Sequence, residues 1–312
     1  MAEEYKISTP KKKIDDRIFD TDIIGQYDAI PFSKGRVAVD LRNIKFVNPY
    51  GALGMLILCE TILAGFGERA DLLLPGTSDG SEIASWLGSL GFLEALQGAA
   101  NINFPPPFNS HNGPSYIKVS KINSLQDVEK VTVELFYKLQ PILIHKLGYR
   151  EEEGNRAATL ISELCSNIYQ HSAPDGERPH GYMAMQSYQN SLKMAVMDLG
   201  RGIPETVKSK CNSYEGKSDG DIIHSVCREG IPCQGHISLG LYQTLKITKR
   251  GEGILNIRSG KAKILFDYRQ ESSVGDRKIP TPFFSGTQIG IYLPKKEEKK
   301  RGLENDFEEG IF

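Results

Sequence analysis

Three short segments in the C-terminal half of this chain carry the residues that could do chemistry. They span residues 163–171, 198–202 and 235–240. The first combines a carboxylate, an amide and an imidazole, the second has an aspartate at a glycine-rich turn, and the third has two glycines before a helical pattern. A nucleotide site with a divalent metal needs such groups, because metal and phosphates require oxygen ligands and close backbone approach.

The first segment is predicted to be helical, with Glu163, Asn167 and His171 on one face because they recur every four residues. An amide oxygen suits Mg²⁺, which prefers oxygen ligands and keeps several waters. A carboxylate one turn away can accept a proton from an attacking hydroxyl or water. Taken alone, such a stripe is more often the solvated face of a half-buried helix, so the interpretation depends on the later segments.

The second segment places Asp198 at the end of a predicted strand, followed by Gly200 and Gly202. Glycines let the backbone approach a ligand that a Cβ atom would push away. A buried carboxylate here can accept a hydrogen bond from the exocyclic amine of adenine, whereas guanine presents a carbonyl. The segment therefore favours adenine.

The third segment, with Gly235 and Gly240, opens a helix predicted to run to about residue 248. A helix N-terminus attracts phosphate through its free N–H groups and its dipole. Residues 203–234 before it are predicted to be largely irregular, with a short helix near residues 222–226. Zinc is an alternative ligand for this stretch, through residues with irregular spacing: Cys211, Cys227, Cys233 and His236.

In this order, the three segments resemble the N box and the two glycine boxes of the GHKL ATPase/kinase superfamily, which includes gyrase, heat-shock chaperones, histidine kinases and MutL. Gly286-Thr287, before a predicted closing strand, adds to the resemblance. The resemblance implies ATP and Mg²⁺ as cofactors, with Glu163 as general base, Asn167 as metal ligand and Thr287 beside the adenine. The implied nucleotide-binding residues are Asn167, His171, Asp198, Gly200, Gly202, Gly235, Gly240 and Thr287.

The N-terminal half is predicted to alternate strands and helices, with strands at 36–41, 43–47 and 71–75 and helices at 51–66 and 81–90. This register, with Asn48-Pro49-Tyr50-Gly51 before the first helix, resembles the STAS domain of the anti-sigma factor antagonists. The phosphoacceptor loop of that family usually carries serine. Here Pro49 cannot accept phosphate and Tyr50 places its hydroxyl further out, so a docking scaffold is the expected role.

The expected fold class is α/β, with a STAS-like domain followed by a GHKL (Bergerat-type) sandwich whose helices pack on one face of a mixed sheet. The predicted boundaries are a flexible lead-in at 1–20, the STAS-like domain at 21–104, a linker at 105–120, the ATP-binding domain at 121–294 and a charged tail at 295–312. In the C-terminal half, Pro141 is expected to interrupt a helix over residues 125–147. Residues 253–259 and 261–268 are expected to form a hairpin, with the closing strand at 286–293.

Composition argues against several classes of protein. The formal net charge of -1 gives no electrostatic reason to expect nucleic acid or an anionic membrane surface. No apolar run is expected to approach the ~20 residues of a membrane span. The N-terminal residues lack the basic-then-apolar pattern of a secretory signal peptide. The cysteine count is odd, and free thiols in a cytoplasmic protein are expected at Cys59, Cys165, Cys211, Cys227 and Cys233.

The resemblance is nearest to the anti-sigma factor serine kinases, which implies a serine/threonine kinase acting on a partner protein, such as a separate STAS-like or sigma-regulatory protein. Two alternatives keep the same nucleotide contacts: an ATPase that drives a conformational cycle, and a non-catalytic ATP sensor. The sequence does not decide whether the protein forms a homodimer, and it does not identify the partner.

Overall fold

The computed structural model describes residues 3–31, 35–75, 81–103, 116–173, 178–230, 239–269 and 275–296. Within these ranges the chain is a mixed α/β protein. It contains a parallel four-stranded sheet, an antiparallel five-stranded sheet and one short two-stranded pair. The four-stranded sheet belongs to the N-terminal half and the five-stranded sheet to the C-terminal half.

The N-terminal half confirms most of the predicted strands and helices. The strand order is β1-β3-β5-β6 with parallel pairings, and β2 pairs with β4. A π-helical segment, Ile18–Ile23, precedes α1. The elements are β1 (Glu3–Ser8), β2 (Lys13–Ile14), α1 (Ile24–Asp28), β3 (Gly35–Asp40), β4 (Phe46–Val47), α2 (Pro49–Phe66), β5 (Ala70–Leu73), α3 (Ser81–Ser89), α4 (Phe92–Ala95) and β6 (Ala100–Ile102).

The prediction of a flexible lead-in over residues 1–20 is wrong for the described residues. β1 is the edge strand of the four-stranded sheet and pairs with β3, with Tyr5 opposite Val37 and Ile7 opposite Val39. Ile7 is fully buried. The strand forms because tertiary pairing with β3 outweighs the polar composition around it.

α2 begins where the sequence supplies helix-start signals. The side chain of Asn48 accepts a hydrogen bond from the Gly51 N–H at 2.8 Å, and Pro49 occupies the first turn. Gly67, with φ of 72°, ends the helix. Among the described residues, α2 is the helix long and apolar enough to cross a membrane, and 67% of that window is buried inside the protein. The expectation that no apolar run approaches this length is therefore wrong for α2.

The C-terminal half contains the elements β7 (Tyr116–Ile122), α5 (Leu125–Glu134), α6 (Glu151–His171), β8 (Gly181–Ser187), β9 (Ser191–Asp198), α7 (Gly202–Lys210), α8 (Asp219–Glu229), α9 (Leu239–Arg250), β10 (Ile254–Asp267) and β11 (Arg277–Pro294). The strand order is β10-β11-β9-β8-β7. Every described pairing in this sheet is antiparallel, so the expectation of a mixed sheet is wrong.

Two helical predictions have different outcomes. The helix that begins with α5 is not split at Pro141, whose backbone stays helical with φ of −60°, but π-helical stretches replace regular α-helical hydrogen bonding on both sides of it. The stretch at 203–234 is more helical than expected, because α7 and α8 cover most of its described residues. Residues 105–115 of the predicted linker lie outside the described part of the chain, and residues 116–120 belong to β7.

The predicted hairpin at Ser259-Gly260-Lys261 is wrong. These residues lie within one long strand, β10, which pairs with the equally extended β11. The pairing register shifts on both sides of Gly260, where φ is 62°. This β-bulge reverses which side chains face each side of the sheet. As a result, Arg258 before the bulge and Lys263 after it both point to the same face.

The five-stranded sheet is buried on both faces. On one face, Met183, Met194 and Val196 join the core formed with the C-terminal helices. On the other, Tyr182 and Met197 join a core that contains α2 and the N-terminal half. Burial on both faces explains why β8 and β9 read as nearly continuous apolar runs rather than alternating ones.

A charged cluster is buried where the two halves meet, which we call the junction cluster (Asp16, Asp20, Tyr50, Arg258 and Lys263). The Lys263 ammonium lies 2.7 Å from Asp16 and 2.8 Å from Asp20. The Tyr50 hydroxyl donates to Asp20 at 2.9 Å, and Arg258 Nε lies 3.6 Å from the same carboxylate. Burial raises the pKa of Asp20, while the charges of Lys263 and Arg258 oppose that rise.

The junction cluster yields a stability prediction. Asp20→Ala should lower the free energy of unfolding by about 3–5 kcal/mol, because it leaves two buried cations without their shared carboxylate. Asp22→Ala, in the same π-helical segment but outside the cluster, should cost less than about 1 kcal/mol. Urea unfolding monitored by circular dichroism measures both, and equal losses would contradict a central role for Asp20.

Candidate functional site

A pocket lies between α6 and the face of the five-stranded sheet that packs against the C-terminal helices. Its lining is mainly apolar with a few polar groups, the composition typical of small-molecule sites. Five of the predicted site residues line it: Asn167, His171, Asp198, Gly202 and Thr287. The apolar lining comes from Leu164, Ile168, Val196, Ile203, Val226, Leu241 and Ile289.

Asp198 is the acidic group of this pocket and ends β9. Its carboxylate accepts hydrogen bonds from the Gly200 N–H, at 2.7 Å, and from the backbone N–H and hydroxyl of Thr287. Burial raises the pKa of Asp198 to about 6, although these donors favour the ionised form and limit the rise. A carboxylate held at such a cost inside a pocket is a common sign of a functional site.

The glycines of the turn allow close packing of the protein against itself. A Cβ atom at Gly200 would lie 2.4 Å from the Ser172 carbonyl oxygen at the end of α6. Gly202 has φ of 82°, and a Cβ atom there would lie 2.5 Å from Ser259 Oγ. Gly286, with φ of 79°, lies against the backbone of Asp198 in the same way. These contacts hold α6, β9, β10 and β11 close around the pocket.

Ser259 is a residue of the site that the sequence prediction missed. Its hydroxyl accepts a hydrogen bond from the Ile203 N–H at 2.9 Å and donates to the Gly286 carbonyl at 2.7 Å. It thereby fixes the turn after Asp198 to the segment that carries Thr287. The sequence predicts a hairpin turn at Ser259, whereas in the structure this residue lies within β10, just before the bulge.

α6 supplies the other side of the pocket. Its N-terminus is capped by Glu153, whose carboxylate accepts a hydrogen bond from the Arg150 N–H at 2.9 Å, and its apolar stripe packs against the sheet. Asn167 and His171 line the pocket, whereas Glu163 lies one turn away and is exposed to solvent. Gly240, near the start of α9, faces Glu163 and Asn167, since a Cβ atom at Gly240 would lie 3.5 Å from both Asn167 Nδ2 and Glu163 Oε2.

His171 lies in a basic environment. Partial burial lowers its pKa, and the nearby charges of Lys210 and Arg201 lower it further. His171 is therefore neutral near pH 7. The surrounding cations favour an anionic ligand at this side of the pocket.

The remaining site predictions concern the third glycine segment and the cysteines. Gly235, Cys233 and His236 lie outside the described residues. Cys211 is disulfide-bonded, so the expectation of a free thiol is wrong there, whereas Cys59, Cys165 and Cys227 are free and buried. Within the described ranges, no group of three or more His, Cys, Asp or Glu side chains is arranged to hold a metal ion.

Comparison with known proteins adds no family to this description. No protein-family model matches the chain, and no curated protein matches it either. The functional interpretation therefore depends on the geometry of the pocket. That geometry combines a hydrogen-bonded carboxylate, an apolar slot and an amide beside a carboxylate, which together suit a flat, amine-bearing base linked to an anionic group.

The hydrogen bonds to Asp198 yield a prediction. Thr287→Val should raise the pKa of Asp198 above about 6, because the lost hydroxyl stabilises the ionised carboxylate. Thr281→Val, earlier in β11, is the control and should leave the pKa of Asp198 unchanged. The measurement is a carboxyl NMR titration, and an unchanged or lowered pKa in Thr287→Val would contradict the assigned hydrogen bond.

Proposed function

We propose that this protein is a cytoplasmic, Mg-ATP-binding signalling regulator of the GHKL type, and that it acts as a serine/threonine kinase on a partner protein. The observation that carries the proposal is the pair formed by Asp198 and Thr287 in an apolar pocket that Asn167 also lines. The order of these groups along the chain is that of the superfamily it resembles. The N-terminal half would be its STAS-like domain.

Adenine fits the end of the pocket where Asp198 lies. The exocyclic amine of adenine would donate to this carboxylate, and the ring would lie among apolar side chains such as Ile203 and Ile289. Guanine would place a carbonyl oxygen against the same carboxylate, which is repulsive. Thr287 would hold the carboxylate in position through the two hydrogen bonds it donates.

The phosphates would extend along α6 towards α9. Asn167 would bind the metal through its amide oxygen, in keeping with a Mg²⁺ ion that retains several waters. When bound, that ion neutralises phosphate charge. Glu163 is exposed beside Asn167, so a hydroxyl from another protein can reach it and give up its proton there. His171, with Lys210 and Arg201 close by, would favour the negative phosphates.

The burial of Tyr50 supports a docking role for the loop that resembles a STAS phosphoacceptor site. Tyr50 is 3% exposed, and its hydroxyl donates to Asp20. A kinase could not reach this hydroxyl without separating the two halves. We therefore assign the loop to docking on the chain's own C-terminal half, with a separate STAS-like or sigma-regulatory protein as the substrate.

Two other functions use the same contacts. In an ATPase, water would take the place of the partner's hydroxyl beside Glu163. In a non-catalytic sensor, nucleotide would only alter a protein interface, for example in a homodimer. Glu163 is exposed beside Asn167, so its carboxylate can meet either a partner's hydroxyl or water, as the two catalytic functions require.

Nucleotide choice is the first functional prediction. ATP and ADP should bind with Mg²⁺, and GTP should bind far more weakly. Asp198→Asn should lower ATP affinity at least about tenfold, since a charged acceptor is worth about 1.5–3 kcal/mol. Affinity should also fall as the pH drops through about 6, because Asp198 then becomes protonated. Calorimetry with both nucleotides tests this, and equal ATP and GTP affinity would contradict the proposal.

Catalysis is the second functional prediction. Glu163→Gln should retain ATP binding and lose turnover, because proton abstraction matters in the transition state and not in the ground state. Asn167→Ala should weaken both, through the metal. In the assay, the protein is incubated with labelled ATP and a lysate of its host, and the label is then sought on protein and on free phosphate. Normal turnover by Glu163→Gln would leave the sensor function in place of the kinase.

A further inference from the structure

Two consecutive pairs of residues in β10 and β11 face opposite sides of the five-stranded sheet. Arg258 pairs with Gln288, and the next pair is Ser259 with Thr287. Because side chains alternate along a strand, the first pair faces the N-terminal half and the second faces the pocket. The junction cluster and the candidate nucleotide site are therefore back to back on the same short stretch of sheet.

Gln288 joins these two faces. It is fully buried, and its side-chain oxygen accepts a hydrogen bond from Arg258 Nη1 at 2.9 Å. Its amide nitrogen donates to the Ser285 carbonyl at 2.8 Å and more weakly to the Asp198 carbonyl at 3.5 Å. One side chain thus contacts the junction cluster, the turn before Thr287 and the backbone of Asp198.

Arg258 continues this connection into the N-terminal half. Its guanidinium is fully buried, donates to the Pro282 carbonyl at 2.7 Å, and lies 3.6 Å from the Asp20 carboxylate. Arg258 is held between a carboxylate from the first half of the chain and an amide next to the pocket. A shift of Asp20 would leave its charge unbalanced, and Arg258 would move with it.

We propose that Gln288 is a positioning residue for the nucleotide site, and that through Arg258 and Asp20 it couples nucleotide binding to docking of the N-terminal half. The inference rests on the proposed function. A change at the junction cluster would alter the placement of Asp198 and Thr287, and nucleotide bound to them would in turn favour the docked arrangement, since such coupling is reciprocal.

A second polar contact across the same interface provides the control. Glu60 of α2 lies 2.7 Å from the His180 ring and accepts a hydrogen bond from the Tyr182 hydroxyl at 2.6 Å. The described hydrogen bonds lead from Glu60 towards the pocket through His180, whose backbone N–H donates to Ser172 at 3.0 Å, and not through Gln288. Glu60→Gln and Asp20→Asn are therefore matched changes, because each neutralises one carboxylate that the N-terminal half directs across the interface.

The experiment compares Mg·ADP affinity in five proteins at a temperature where all are folded: the full chain, Asp20→Asn, Gln288→Met, the double variant that combines these two changes, and Glu60→Gln. Asp20→Asn and Gln288→Met should each weaken binding by about fivefold or more. The double variant should bind Mg·ADP as tightly as the weaker-binding of the two single variants, because both substitutions break the same connection. Glu60→Gln should stay within about twofold of the full chain.

Amide hydrogen exchange of the nucleotide-free proteins supplies a second readout. Exchange at Gly200 and Ile203, whose N–H groups bond to Asp198 and Ser259, should quicken in Asp20→Asn and Gln288→Met but not in Glu60→Gln. If Asp20→Asn and Glu60→Gln behave alike in both readouts, the coupling is refuted while the proposed function stands. If the full chain binds no nucleotide, the proposed function fails, and exchange alone decides whether Gln288 positions the turn.

Discussion

Burying both faces of one antiparallel sheet is the constraint on which the rest of the structure depends. With helices on one side and the N-terminal half on the other, every polar group directed from β10 and β11 needs a partner inside the protein. On the junction side, Arg258 and Lys263 find Asp20, and Tyr50 adds a hydrogen bond to the same carboxylate. A carboxylate from near the start of the chain thus completes the core of its C-terminal half.

The opposite face of the sheet uses its polar groups differently. Ser259 and Thr287 fix the backbone and carboxylate of Asp198 at the edge of an apolar pocket, where the pKa of that carboxylate is raised to about 6. Ionising it there opposes folding, so a ligand that donates a hydrogen bond would recover the cost. The proposed adenine site depends on this balance.

The parts of the site that are local in sequence were predictable. The four-residue spacing of Glu163 and Asn167 fixes their shared helical face, and Asp198 lies only two and four residues before Gly200 and Gly202. The roles of Ser259 in β10 and Gln288 in β11 were not predictable, because the β-bulge in this strand pair decides which face each side chain meets. β1 was missed for a related reason: its pairing partner lies far along the chain, and only the alternation of Tyr5 and Ile7 hints at a strand.

The most direct test of the proposed nucleotide site is a titration of isotopically labelled protein with Mg·ADP, followed through backbone amide chemical shifts. If adenine binds beside Asp198, saturable shifts should centre on Asn167, Gly200, Gly202 and Thr287, with Mg·GDP producing little change at the same concentrations. Shifts confined to other surfaces, or equal shifts with both nucleotides, would contradict the claim that Asp198 reads adenine in this pocket.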